Sequence, residues 1–180
     1  MDGSELLVIG GRSGVGKSSV ANALHALLRD ADVRHAVIEG DALDLAWPPP
    51  WEHRLSMRNL AAVWANYREL GYRRLVYTNT VSVLEADELA GAMGDGPRIS
   101  GVLLTAADEV VDARLAGRES GDELAAHVER SARAARRLHA DAPAWMPRVA
   151  TDGRTPTEIA RTIAELVGWV SAVHPGPAAR

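Results

Sequence analysis

Leu6-Leu7-Val8-Ile9-Gly10-Gly11-Arg12-Ser13-Gly14-Val15-Gly16-Lys17-Ser18-Ser19-Val20 decides the fold of this chain. Residues 6–10 are a short apolar run closed by glycines, which predicts a buried strand, and residues 17–28 carry apolar side chains at helical spacing. Between them, Gly11-Arg12-Ser13-Gly14-Val15-Gly16-Lys17-Ser18 matches the pattern GxxxxGK[ST], in the strand-then-helix context that gives the pattern its meaning. Glycines let the backbone turn so that successive amides point inward at phosphate oxygens. The helix that follows adds the positive end of its dipole. In this arrangement Lys17 neutralises the outer phosphates, the Ser18 hydroxyl is placed to ligate Mg2+, and Ser19 reaches the innermost phosphate. The expected ligand is a purine nucleoside triphosphate, ATP with magnesium. A plain turn from strand to helix is the other use of such a loop.

Composition supports the loop reading. Of 20 Lys and Arg residues only Lys17 is a lysine, so a sequence that otherwise uses Arg has kept the compact ammonium at this one place. A net charge of −4 with scattered basic residues offers no groove for nucleic acid. No run approaches the roughly eighteen apolar residues of a membrane helix. The acidic start lacks a secretory signal, so a cytoplasmic protein is expected. Without cysteine there are no disulfides or thiolate sites, and the six histidines are too dispersed for a metal centre. The oligomeric state is not legible in the pattern.

Outward from the loop, the periodicity predicts further strands at 33–39, 74–78, 99–104 and 148–150. Helices are expected at 54–70, from a Ser82/Glu85 capping box to 93, at 107–115 capped by Thr105, from Ser120/Glu123 to about 139, and from a Thr155/Pro156/Glu158 start to about 172. The segment 41–51, with Pro48, Pro49 and Pro50, reads as a loop. Strands alternating with helices imply one α/β domain over 1–173. Its mainly parallel five-stranded sheet is flanked by helices in three layers, with the ligand at the carboxyl ends of the strands and a frayed tail at 174–180.

Two nucleotide-binding classes are disfavoured. A guanine-reading NKxD motif needs a second lysine, and the strand 74–78 runs into Asn79-Thr80 without the acid that motor and transport ATPases place there. GRSGVGKSSVANAL, the second strand ending Glu39-Gly40-Asp41-Ala42-Leu43, and the helix 54–70 resemble the P-loop small-molecule kinases: adenylyl-sulfate kinase, gluconate kinase, shikimate kinase and chloramphenicol phosphotransferase. The resemblance spans most of the chain. It implies the nucleoside-kinase-like P-loop fold with a short helical lid from about 114–121, an acceptor region at about 41–70, and transfer of the γ-phosphate of ATP to a hydroxyl of a small-molecule acceptor. The Phe-Ile-Ser-Pro-like turn of adenylyl-sulfate kinases is absent, and the chain has no phenylalanine.

Asp41 maps to the acid that faces the acceptor hydroxyl in those kinases. Independently, a carboxylate at the carboxyl end of a strand beside the phosphate loop is placed to take the proton of that hydroxyl. Asp44 and Glu39 are alternative bases, and capping a turn after Gly40 is the other use of an Asp there. By the resemblance Arg114 stacks on adenine, Arg118 reaches the transferring phosphate, and Arg154 in the loop 152–156 flanks the base. Two solvated helix arginines are the alternative for Arg114 and Arg118. On the acceptor side, Arg54 and Arg58 suit an anionic group, Trp47 and Trp51 an apolar wall, and Asn79 a polar contact at the ligand edge. A solvated helix face and a loop tacked down by tryptophans remain open for these.

Overall fold

The computed structural model describes residues 3–117 and 120–170. Five strands form one sheet: β1 (Glu5–Gly10), β2 (Ala36–Glu39), β3 (Arg74–Thr78), β4 (Arg98–Thr105) and β5 (Arg148–Ala150). Every pairing is parallel, in the order β2-β3-β1-β4-β5, with Leu6 opposite Leu75 and Ile99. Parallel neighbours require crossovers, and six helices supply them: α1 (Lys17–Asp30), α2 (Leu55–Glu69), α3 (Ala86–Met93), α4 (Asp108–Ala116), α5 (Gly121–Asp141) and α6 (Pro156–Leu166).

Strand alternation sorts the core into two halves. Leu6, Val8, Leu75, Tyr77 and Leu103 face one side, where they meet Leu60 and Trp64 of α2, Leu89 and Met93 of α3, and Leu138 of α5. Leu7, Ile9, Val76, Val102 and Leu104 face the other, against Leu24 and Leu28 of α1 and Ile159 and Ile163 of α6. Both faces of the central strands are buried, as a parallel sheet requires, so the fold is a three-layer α/β one.

Several predicted boundaries differ. Only 36–39 of the 33–39 run is strand. Val33 donates its N–H back to Leu28, and the His35 ring contacts Val33 O and His25, which holds the return from α1 outside the sheet. Thr105 ends β4 and caps nothing. Ala107 stands at the start of α4, with its N–H bonded to Asp152 Oδ1. Ser82 opens a 3-10 turn ahead of α3, and its buried hydroxyl donates back to Asn79 O. Ser120 precedes α5 without a side-chain cap bond. Only the Thr155/Glu158 capping box forms as predicted, with Pro156 in the first turn. A 3-10 turn at Gly40–Ala42 and another at Trp51–His53 interrupt the proline loop.

Candidate active site

The phosphate loop leaves β1 at Gly10 and opens α1 at Lys17. Gly14 has φ +81, and a Cβ there would lie 2.8 Å from Val111 of α4, so the loop's turn and the close seating of α4 both need glycine. From above, α5 adds a tie, with Ser131 Oγ donating to Ser13 O at 2.9 Å. Lys17 Nζ lies 2.8 Å from Gly11 O and 3.2 Å from Arg12 O, bent over the loop it serves. Burial pulls the Lys17 ammonium below the ordinary lysine range, while the charges of Asp41 and Glu39 oppose that shift.

Lys17, Ser18, Ser19, Glu39, Asp41 and Asn79 line one cavity of about 220 Å³, with the loop glycines beneath them. Ser18 Oγ donates to Glu39 Oε2 at 3.2 Å. Buried Thr78 faces the same space, and its hydroxyl has no partner among the described residues. Asn79 is oriented twice: its Oδ1 accepts from Val81 N at 3.0 Å, which turns its Nδ2 toward Asp41 Oδ1 at 2.8 Å. Asp41 therefore has a fixed carboxylate at the edge of the phosphate cavity.

A second cavity of about 270 Å³ adjoins the first. It is lined by Gly40, Asp44, Arg54, Tyr77, Glu85 and Glu88 among others, and it shares Asn79 with the phosphate cavity. The two meet along Gly40-Asp41 and Asn79. Gly40 is required here by approach: a Cβ would lie 2.3 Å from the Tyr77 hydroxyl. Arg54 stands before α2 at φ +49, and its Nη2 reaches Glu88 Oε2 at 2.5 Å. Burial raises the Glu85 carboxyl above its usual range, with Glu88 adding to the shift and Arg137 and Arg54 opposing it.

The remaining candidates separate. Arg114 Nη1 lies 3.3 Å from Gly14 O, 3.2 Å from Val15 O and 3.3 Å from Thr151 Oγ1, so its guanidinium joins the phosphate loop to the end of β5. Arg118 lies outside the described residues. Arg154 is held by α6, with Nη2 2.6 Å from Thr162 Oγ1 and 3.2 Å from Glu158 O. Arg12 turns away from the phosphate cavity: its side chain is 6% exposed, pairs with Asp108 at 2.5 Å, and lines a separate cleft of about 470 Å³ between β4 and α5. Its Nε and Nη2 have no partner among the described residues. Arg58 lines an open groove of about 690 Å³ beyond Arg54, and Trp47 is 90% exposed and lines neither inner cavity.

Reading the sequence did not bring Glu85, Glu88 and Tyr77 to a cavity: Glu85 counted only in a capping box with Ser82, Tyr77 only as a strand residue, and Glu88 carried no signal of its own. His127 of α5 also lines the phosphate cavity, with no sequence signal to place it there. Among the described residues no group of three or more His, Asp or Glu is arranged to hold a metal, and no helix is long and apolar enough to cross a membrane.

No protein-family model matches the chain, and no curated protein matches it in sequence. Solved structures do. A Deinococcus radiodurans tunicamycin resistance protein is similar at 23% identity and a TM-score of 0.64, covering 94% of this chain and 99% of its own. The Mycobacterium tuberculosis APS kinase, solved with AMPPNP and APS, is similar at 22% identity and 0.59, covering 93% and 99%. A gluconokinase from Sinorhizobium meliloti 1021 follows at 22% and 0.54, covering 94% and 98%. The chain thus shares the fold of P-loop small-molecule kinases, over nearly the whole length of each.

Proposed function

We propose that the protein is an ATP- and Mg2+-dependent phosphotransferase that moves the γ-phosphate to a hydroxyl of a small-molecule acceptor. The observation that carries this reading is the meeting of two polar cavities at Asp41 and Asn79, one floored by the phosphate loop and the other free of it. In this reading Ser13, Gly14 and Gly16 present backbone amides to the triphosphate, while the Gly11 and Val15 N–H groups are engaged by Thr80 O and Arg12 O and shape the loop, and Lys17 swings from its loop carbonyls onto the outer phosphates. Ser18, beside Glu39 and Asp41, offers the oxygen chemistry that magnesium takes, and Ser18 would hold the ion. Bound there with ATP, magnesium neutralises charge on the phosphates.

Asp41 accepts the acceptor's hydroxyl proton as that oxygen attacks phosphorus, with Asn79 fixing the carboxylate. Arg114, at the root of the 114–121 lid, is suited to the nucleotide side, and lid closure keeps water from intercepting the phosphoryl group. The reading includes a cytoplasmic location, where ATP is supplied. The similarity to APS kinase and gluconokinase supports it.

The test is ADP release with ATP-magnesium across a panel of hydroxyl acceptors: nucleosides, sugars, acids and antibiotics. Acceptor-stimulated release is expected, and Asp41→Asn is expected to keep ATP binding while losing about 100-fold or more in turnover. Unchanged turnover in that variant removes Asp41 from the role of base. A second reading, an ATP-binding regulatory or resistance protein with little turnover, draws on the similarity to a tunicamycin resistance protein. Tight ATP binding with no acceptor-stimulated ADP release would favour it and sink the kinase reading.

A further inference from the structure

The cavity beside the phosphate loop has a charge that does not suit an anionic acceptor. Three carboxylates, Asp44, Glu85 and Glu88, line it against one guanidinium, Arg54, which Glu88 engages directly. The lining is therefore negative by two charges, and Arg137, whose field reaches Glu85 from α5, offsets part of this. Asp41 adds a further carboxylate at the boundary with the phosphate cavity.

Tyr77 supplies an independent sign of a ligand. The residue is 3% exposed, it lines this cavity, and its hydroxyl, pressed toward Gly40, has no hydrogen-bond partner among the described residues. A ligand in the cavity that bonds to this hydroxyl would complete its hydrogen bonding. Burial, together with the negative charges of Glu85, Asp41 and Asp44, pushes the Tyr77 phenol up to about 12. It thus stays protonated as a neutral donor, and the cause of the shift reports the negative field at this point.

Resting on the phosphotransferase reading, we infer that the acceptor is a small polyhydroxylated molecule bearing an ammonium group, of the amino-sugar or aminocyclitol class. Its ammonium sits among Asp44, Glu85 and Glu88, and Tyr77 donates to one of its oxygens. The reacting hydroxyl lies toward Asn79 and Asp41. That oxygen forms the new bond to the γ-phosphorus as the bond from phosphorus to the β-γ bridging oxygen breaks. The electron pair leaves with ADP, and the hydroxyl proton passes to the Asp41 carboxylate. A hydroxy acid would instead add a further negative charge to an already negative, partly desolvated space.

The experiment measures calorimetric binding to the full-length protein, loaded with magnesium and a non-hydrolysable ATP analogue. The probes are a panel of amino sugars and aminocyclitols, each paired with its neutral hydroxyl counterpart, together with hydroxy acids such as gluconate. At least one amine is expected to bind tenfold or more tightly than its neutral partner, with a preference that falls as salt rises. Glu85→Gln and Asp44→Asn are each expected to cut that preference severalfold while leaving affinity for the ATP analogue unchanged. Tighter binding of a neutral or acidic compound, an amine preference indifferent to both substitutions, or no binding by any amine would overturn the inference. ADP release with ATP separates the two levels. Release driven by neutral or acidic acceptors alone leaves the kinase reading standing and removes this one. Carboxylate-dependent amine binding without any ADP release overturns the kinase reading, and with it the amine's role as acceptor, while the amine site itself stands.

Discussion

Lys17 is a half-buried ammonium whose charge is disfavoured by burial and supported by Asp41 and Glu39. Such a group gains most when phosphates replace the two loop carbonyls it now contacts. Saturating ATP-magnesium at about 100 times its dissociation constant adds about 2.7 kcal/mol to stability, which for a chain of this size raises Tm by roughly 5–10 °C. Lys17→Met is expected to abolish that rise in a thermal melt while leaving a folded protein, and a retained rise would remove Lys17 from the phosphates. Arg12 shows what a motif cannot tell. Its position within the loop pattern suggests a phosphate contact, yet backbone geometry sends its side chain under α4 and α5 to Asp108. Loop spacing governs where amides point, and it leaves a variable side chain to whatever packs above it.

At the scale of elements, α6 is the helix whose start was legible residue by residue. Thr155 Oγ1 accepts from Glu158 N at 3.3 Å, and Glu158 Oε2 accepts from Thr155 N at 2.8 Å. Thr155→Ala is expected to cost about 1 kcal/mol in urea unfolding at pH 7, with α6 loosened against α1. The Glu158 carboxyl is held below its usual range, first by the Thr155 backbone N–H and then by the Thr155 hydroxyl. A lowered carboxylate contributes above its unfolded value, near 4.5, and loses that contribution as pH falls through the folded value. The penalty of Thr155→Ala is therefore expected to shrink when unfolding is followed at about pH 3, and an equal penalty at both pH values would contradict this origin. Thr105, Ser82 and Ser120 had similar local signals and do not cap. Thr105 stays in the β4 ladder, paired with Ala150 of β5, and the Ser82 hydroxyl is taken by Asn79 O three residues back in the turn that leaves β3.

Across the molecule, Glu5 joins the elements that flank the site's central strand. At the start of β1 its carboxylate meets Arg74 of β3 at 3.0 Å, Arg98 of β4, and Trp169 Nε1 at 3.0 Å beyond α6. Burial alone would raise the Glu5 carboxyl, and the bonds from Trp169 and Arg98 with the charges of Arg98 and Arg74 outweigh it, leaving it lowered. Glu5→Gln is expected to cost about 1–3 kcal/mol at neutral pH by weakening charged hydrogen bonds, and to cost less as pH falls below about 4.5 through the folded value. A pH-independent difference between the two proteins would show that the carboxylate's charge is not what joins these strands.

The sequence by itself determined the phosphate loop, the five strands within a few residues, the parallel α/β class and the placing of Asp41 at a strand end. Those are properties of periodicity and of spacing along one stretch of chain. The strand order came only with tertiary structure, since β3 enters between β2 and β1 through contacts distant in sequence. So did the acid-lined second cavity, assembled from the β2 end, the start of α2, β3 and the start of α3. A charge of two carboxylates in excess is invisible while Asp44, Arg54, Glu85 and Glu88 are read one at a time, because the field of a cavity belongs to the groups that folding brings together.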